Sequence, residues 1–423
     1  AVLVGKEGLL RVVHGEDKEI GSLYLYFIRE EELQYINPDT KKISKLEWVN
    51  INDEIERWER WQANNQKPEG EYASLGLDLF TDKELVSELL NILRIRALAD
   101  DLNIIPSFAV RRPKEGVTQQ LKDFCSICGE GNFNLEIKEL PINIQQELKD
   151  FYNKAKFTVH PKFIIPGRNL NLSSKELVSL VEQPGLPLFE LAKRIEPQFI
   201  SFHIGCSAEE VVSDATDQLL VVGRSLNKEE TINGILKGVI SIIDALEKSG
   251  FNGEYLLENL DYNPTGAYEH ICNPEFIREI ISKSGLGMIF DVAHALVSAK
   301  NLGFADYMDY VRNLIDESNI DTIKELHISV PGYNPTVGRW LDKHLPFSAD
   351  IDSEANQMIR EIIRYIFQLR IREGVKTKLL VTFETKIDKA KDELLSLAYF
   401  LSEVRKRYLN DSDILSSALN TKP

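Results

Sequence analysis

The sequence predicts an α/β protein, a (β/α)8 TIM barrel preceded by an extra N-terminal α+β unit. Two observations predict the barrel. From about residue 131, apolar runs rich in β-branched and aromatic residues alternate with amphipathic segments, the pattern of parallel strands joined by crossover helices. Several of those runs end in a His, Asp or Glu: FTVH at His160, FISFH at His203, YLLE at Glu258, MIFD at Asp291 and LLVTFE at Glu384, with a weaker KELH at His327. Parallel strands buried on both faces read as continuous apolar runs. A closed barrel gathers their C-terminal tips at one face, where enzymes place their chemistry. An open doubly wound sheet would collect ligands near one switch point and not from six strand ends.

The elements follow in chain order. LYLYFI and LQYINPDTKKISKLEWV read as strands, the second split by the turn signal NPDT. INDEIERWERWQ (51–62) reads as a helix with Trp58 and Trp61 on one face, a packing surface, and NNQKPEGE (64–71) as a linker. The expected division is residues 1–130 for the N-terminal extension and 131–423 for the barrel. IIPSFAV (104–110) and FCSIC compete for the first barrel strand. FNLEIKEL (133–140) is a strand and INIQQELKDFYNKA (142–155) an amphipathic helix. FTVH and the loop PGRNLN (166–171) precede the helix SSKELVSLVEQ, where Ser173 and Glu176 have capping-box spacing. Then alternate FISFHIG, the helix INGILKGVISIIDALEKSG with its glycine stop, YLLENLD, the helix PEFIREIISKSG, GMIFDVA, the helix ADYMDYVRNLI and TIKELHIS. An irregular stretch from Pro331 to about Ser353 leads to the helix ANQMIREIIRYIFQLRI, the strand KLLVTFET and a final helix from KDELLSL. Successive strand-end ligands lie 33 to 57 residues apart, room for one βα unit each.

Composition narrows the function. The 423-residue chain carries a net charge of −16, with 43% hydrophobic residues. It lacks the basic footprint of a protein that holds nucleic acid by charge alone. No apolar run approaches the ~20 residues of a membrane helix, and the charged start is not a secretory signal. Four Cys, two of them in a lone CxxC at Cys125 and Cys128, fit a reducing cytoplasm and give no four-ligand zinc site.

Five of the seven His fall in one set: His160, His203, His294, His327 and His344, with Glu258, Asp291, Asp342 and Glu384. Unpaired carboxylates at the end of buried strands are costly, and metal ions would remove that cost for Glu258, Asp291 and Glu384 together. Asp342 and His344, two apart in WLDKH, project to one side of an extended segment.

These segments carry a resemblance. DVAHA, ELHIS, LDKH and the ENL after YLL, with HPKF and FHIGCS, resemble the motifs of the endonuclease IV family in the xylose isomerase-like superfamily, over about residues 133–400. That resemblance implies three metal ions: one held by His160, His203 and Glu258; a second by Glu258 as bridge with Asp291, His327 and Glu384; a third by His294, Asp342 and His344. The chain departs from the pattern in having Phe163 in place of the family's Tyr, and SVPG after His327. LVSAKNLGF with DYMDY is similar to a second branch, the multinuclear non-haem iron oxidases that modify cysteines in precursor peptides. Sugar isomerases and epimerases share the barrel and form a further alternative.

The leading expectation is therefore a metal-dependent phosphodiester hydrolase using two or three divalent ions, zinc or manganese. Two ions roughly 3.5–4 Å apart clamp the attacking and leaving oxygens, with Glu258 bridging and Glu384 orienting the nucleophile. Nucleic acid is the expected partner. Phe163 would stack on a base, worth roughly 1–3 kcal/mol where it is made, or pack under the loop PGRNLN, and Lys162, Arg168, Arg339 and Lys343 would contact phosphate. The alternative is an iron oxidase acting on a cysteine in a precursor peptide, since His and carboxylate ligands with open positions suit O₂ activation.

Overall fold

The computed structural model describes residues 102–110, 117–129, 131–138, 151, 153–165, 168–214 and 218–419, with short strands between residues 2 and 50. The chain forms two compact units, Ala1–Leu102 and Asn103–Pro423. In the first, Val2–Val4, Leu9–Val12, Leu25–Tyr26 and Val49–Asn50 form a four-stranded sheet, and Gln34–Ile36 pairs antiparallel with Ile43–Lys45 on either side of NPDT. The Trp58/Trp61 helix and the 64–71 linker lie outside the described residues.

The second unit is the barrel. Eight strands close it in sequence order: β1 (Ile104–Val110), β2 (Asn134–Ile137), β3 (Lys156–Val159), β4 (Phe199–His203), β5 (Glu254–Glu258), β6 (Gly287–Asp291), β7 (Ile323–Ile328) and β8 (Leu379–Phe383). Each pairs in parallel with its neighbours, and β8 returns to β1 from Leu379↔Ile104 to Phe383↔Phe108. IIPSFAV is thus the first barrel strand, and residues 103–130 belong to the barrel unit, which begins before the division drawn at residue 130 from the sequence. FCSIC lies instead in helix α1 (Val117–Cys128), with Cys125 and Cys128 one turn apart and buried.

Helices clothe the barrel: α2 (Leu177–Val181), α3 (Pro187–Ile195), α4 (Lys228–Lys248), α5 (Pro274–Ser284), α6 (Val292–Asn301), α7 (Tyr307–Leu314), α8 (Glu354–Arg372) and α9 (Ala390–Leu419). Local chemistry sets their ends. Asn227 and Glu230 close a capping box at the start of α4. Asn273 caps α5, Pro274 begins it, and Gly285 stops it at φ 68°. The Ser173/Glu176 box expected from the sequence does not form. The N–H of Ser173 donates to Asn171 Oδ1 at 3.0 Å, and Glu176 stands at the N-cap of the short α2 with no side-chain capping bond there. Residues 142–150 of the expected helix 142–155 lie outside the described residues.

Three loops on the C-terminal side of the barrel fold into two-stranded hairpins: Phe163–Ile165 with Arg168–Asn169 after β3, Val211–Ser213 with Leu219–Val221 after β4, and Val330–Asn334 with Arg339–Leu345 after β7. PGRNLN and the stretch after Pro331 therefore contain strands where the sequence suggested irregular chain. α6 was not legible, because every residue from Val292 to Ala299 is buried. A helix buried all round shows no amphipathic period.

The barrel interior is layered. Ile105, Phe199, Leu256, Ile289 and Leu380 form an apolar floor. Two residues past Ile105, Phe199 and Leu380 come Ser107, Ser201 and Thr382, which with Asn134 on β2 and Thr158 on β3 are fully buried and polar. Asn134 Nδ2 donates to both Ser107 Oγ and Thr158 Oγ1 at 2.9 Å, so the layer is satisfied from within. The next step along most strands is the ring of His, Asp and Glu.

Gly238 fixes how α4 lies against the chain that follows β3. A Cβ there would sit 2.0 Å from the carbonyl oxygen of Leu172, which is backbone and has no rotamer to yield. Gly238→Ala is expected to destabilise the barrel by about 1–3 kcal/mol, despite the higher helix propensity of alanine. Denaturant unfolding checks this, and an unchanged or raised midpoint would contradict the close approach.

Candidate metal centre

Glu258 is the hub of the strand-tip ring. It ends β5, is fully buried, and faces three imidazoles: its Oε2 lies 2.9 Å from His160 Nε2 and 3.2 Å from His203 Nε2, and its Oε1 lies 2.9 Å from His327 Nδ1. His327 Nδ1 also lies 2.8 Å from Glu384 Oε1 and 3.8 Å from Asp291 Oδ2. Two groups of donor atoms result, His160–His203–Glu258 and Glu258–Asp291–His327–Glu384, sharing Glu258. His294 Nε2 is 3.4 Å and His344 Nε2 3.1 Å from Asp342 Oδ2, and His344 Nδ1 is 3.4 Å from Glu384 Oε2. All nine side chains singled out in the sequence thus converge on one mouth.

Asp342 and His344 reach it by a different route from plain strand alternation. In the 330–345 hairpin Val330 opposes Leu345 while Gly332 opposes Leu341, so the second strand carries two extra residues. His344 has φ 47° within that bulge, a left-handed conformation that costs a non-glycine residue about 1–2 kcal/mol. Bulges re-aim side chains beside active sites. Asn301, at the end of α6, exchanges two hydrogen bonds with the backbone of Trp340, at 2.9 and 3.0 Å, and anchors the strand.

The imidazole tautomers are set from behind. His294 Nδ1 lies 2.8 Å from the carbonyl oxygen of Asn259. A carbonyl can only accept, so Nδ1 carries a proton and Nε2 is the nitrogen turned toward Asp342. His160 Nδ1 lies 2.8 Å from Ser201 Oγ, which can itself donate to Val159 O, leaving Nε2 toward Glu258. Asn259 also exchanges hydrogen bonds with the backbone of Asp291 at 2.9 and 3.0 Å. Asp291 Oδ1 in turn accepts the N–H of His294 at 2.6 Å and caps α6.

The electrostatics call for cations. Burial pushes the Asp291 carboxyl up to about 6, reinforced by Glu258 and Asp342 against the pull of His294 and His327. Burial drives His160 down to about 4 despite Glu258, so its lone pair is available at neutral pH. Burial also opposes charge on His294 and His327, but the carboxylates around them outweigh it and raise both well above the usual imidazole range. Each such proton is a positive charge a metal ion would replace, so metal uptake and proton loss are coupled. Among the described residues, His160 Nε2, Glu258 Oε2 and Asp291 Oδ2 are buried without a hydrogen bond. The donor set, nitrogen and carboxylate without thiolate, fits zinc, manganese or iron.

Three mouth residues escaped the sequence reading. Glu136 and Glu325 are fully buried on β2 and β7, and Lys138, at the tip of β2, pairs with Glu384 and lies 3.7 Å from Glu136 Oε1. The signal was there: Glu325 stands two before His327, and Glu136 two before Lys138, positions that face the same side of a strand.

The proposed substrate contacts fare differently. Arg339 donates to Gln218 of the neighbouring hairpin, and Lys343 Nζ donates to Tyr333 O at 3.0 Å. Lys162 is half-buried at the base of the 163–169 hairpin. The side chains of Phe163 and Arg168 lie outside the described ones.

A (β/α)8 barrel with these His and carboxylate side chains gathered at its C-terminal face has the donor set of a metal-dependent enzyme. Residues 138–370, more than half of the chain, match the family described as RiPP precursor modification enzyme MbnB/TglH/ChrH, and the chain belongs to that family. Solved structures similar to it include a D-tagatose 3-epimerase-like protein (18% identity, covering 72% of this chain and 99% of that one, TM-score 0.47). An AP endonuclease, family 2, from Brucella melitensis (13%, 71% and 99%, TM-score 0.41) and a xylose isomerase domain protein from Alicyclobacillus acidocaldarius (12%, 71% and 99%, TM-score 0.38) are also similar. No curated protein matches the chain. Among the described residues no helix is long and apolar enough to cross a membrane.

Asn259→Ala tests the support of the centre. It would strand the buried N–H and C=O of Asp291, each worth about 1–3 kcal/mol, and is expected to lower thermal stability and the metal content of the purified protein together. Full metal content at reduced stability would show that Asn259 serves the fold alone.

Proposed function

We propose that this chain is a multinuclear, iron-dependent oxidase that acts on a cysteine in a precursor peptide, the second of the three readings drawn from the sequence. The observation that carries it is the family match over residues 138–370. His160, His203 and Glu258 would hold one ion, Glu258, Asp291, His327 and Glu384 a second, and His294, Asp342 and His344 a third. Iron held by His and carboxylate ligands with open positions supplies O₂ activation.

The chain's own residues do the rest. Glu258 offers an oxygen to each of the first two groups and fixes their spacing. Ser201 and Asn259 hold His160 and His294 with their lone pairs inward. His203 and His344, the more exposed members, mark the side from which substrate enters. The three hairpins form a continuous wall there, joined by Asn169 to Ser213 at 3.1 Å and by Arg339 to Gln218. An extended peptide fits such a rim, where exposed Val212, Leu220, Tyr333 and Val337 offer apolar contact.

The phosphodiester reading draws less support. Arg339 and Lys343, two of its four phosphate contacts, are engaged within the hairpins, and the chain is acidic overall. Both readings call for the same ligands, so the metal and the reaction separate them. Elemental analysis of protein purified without added metal is expected to find iron. Oxygen uptake is expected with a cysteine-containing precursor peptide and not with its serine counterpart. Glu258→Gln is expected to lose more than one metal equivalent, and His294→Ala mainly one. Zinc or manganese in the protein, with incision of an abasic duplex and no oxygen uptake, would return the choice to the hydrolase.

A further inference from the structure

We infer that Glu136, backed by Glu325, is a positioning residue that sets the tautomer of His327 and so assigns its Nδ1 to metal; the inference rests on the metal reading above. His327 is fully buried and has a carboxylate oxygen within 2.9 Å of each ring nitrogen. Nδ1 lies 2.9 Å from Glu258 Oε1, 2.8 Å from Glu384 Oε1 and 3.8 Å from Asp291 Oδ2. Nε2 lies 2.9 Å from Glu136 Oε2 and 3.6 Å from Glu325 Oε1. A neutral imidazole offers one lone pair and one N–H, so one side takes metal and the other takes the proton.

Geometry distinguishes the sides. The Nδ1 side has three carboxylates, one of which, Glu258, also faces His160 and His203 toward the open part of the mouth. The Nε2 side has two, on β2 and β7, and Glu325 stands one same-face step before His327 on its own strand, deeper in the barrel. Glu136, Glu325 and His327 lie close enough to hold an ion by themselves, but they would do so by drawing the His327 lone pair away from the group that shares Glu258. Lys138 steadies the arrangement: its Nζ lies 3.7 Å from Glu136 Oε1, opposite the oxygen that meets His327. Thr382 Oγ1 donates to Glu325 Oε1, fixing the second carboxylate. His160 and His294 follow the same plan, each with its Nδ1 set against an acceptor in the barrel wall. Carboxylate support of a ligating imidazole both orients the ring and raises its basicity.

The test uses the full chain with histidine labelled by ¹⁵N and zinc as a diamagnetic probe. Proton–nitrogen correlation spectra, assigned with a His327→Gln variant, are expected to show a protonated Nε2 and a metal-shifted Nδ1 on His327. Chelator competition is expected to show zinc affinity at the Glu258–Asp291–His327–Glu384 group falling about 10- to 100-fold in Glu136→Leu. Glu136→Gln, whose amide oxygen still accepts the N–H, is expected to keep the tautomer and recover most of that loss, and it supplies the comparison if the leucine variant folds poorly. Metal on Nε2, or wild-type affinity in a folded Glu136→Leu, would overturn the inference while leaving the metal reading intact. A wild-type chain that takes up neither zinc nor iron would overturn the metal reading, and this inference with it.

Discussion

The charge on Glu258 is the constraint around which the barrel mouth is arranged. A carboxylate with no solvent exposure at the end of a buried strand is tolerated only when opposite charge or hydrogen-bond donors surround it. Here three imidazoles from β3, β4 and β7 and their connections converge on its two oxygens. Asp291, Glu384 and Asp342 stand close by, so the ring holds more negative charge than Lys138 and the imidazoles supply without taking up protons. The raised pKa of His294 and His327 is the metal-free answer to that imbalance. Metal ions are the other answer, and they satisfy the lone pairs as well as the charge. Closing eight strands in sequence order brings these residues together, and their mutual electrostatics decides what the mouth can hold.

The support lies behind the ring, and it is polar where most barrel interiors are apolar. Ser201, Asn259 and the backbone of Asp291 fix ring orientations through hydrogen bonds 2.6 to 3.0 Å long. Such a layer is stabilising only when complete, because a half-satisfied buried network costs more than an apolar core. Asn134, which bonds Ser107 and Thr158 across three strands, completes the layer beneath Glu136. A ligand ring held this way has little freedom to rearrange, and part of its buried hydrogen-bonding capacity is left unmet by protein groups.

The fold and the nine converging residues were legible because each rests on a short-range signal. Strand tips announce themselves by an apolar run ending in a polar residue, and the βα rhythm sets their spacing. What could not be read required tertiary information. α6 carries no amphipathic period because it is buried all round. The bulge that brings Asp342 and His344 to the mouth depends on hairpin register and on one left-handed residue. Glu136 and Glu325 were passed over because a lone carboxylate inside an apolar strand reads as an edge or surface position until the barrel closes around it. Arg339 and Lys343 looked free for substrate because sequence does not show that the hairpins consume them.

That last point bears on chemistry more than any ligand does. One ring of His and carboxylate residues serves hydrolysis or oxidation according to the metal it holds and the substrate presented to it. Ligands alone therefore cannot choose between a phosphodiester and a peptide. The choice falls to the βα loops, which in this architecture carry specificity. Here those loops are hairpins in which Arg339 donates to Gln218 of the neighbouring hairpin and Lys343 to Tyr333 O of its own, while Val212, Leu220, Tyr333 and Val337 are exposed. A polyanion would meet an acidic protein with two of its expected contacts already spent. An extended peptide, the proposed substrate, needs no excess of positive charge to bind, and exposed apolar side chains on these hairpins would offer it contact.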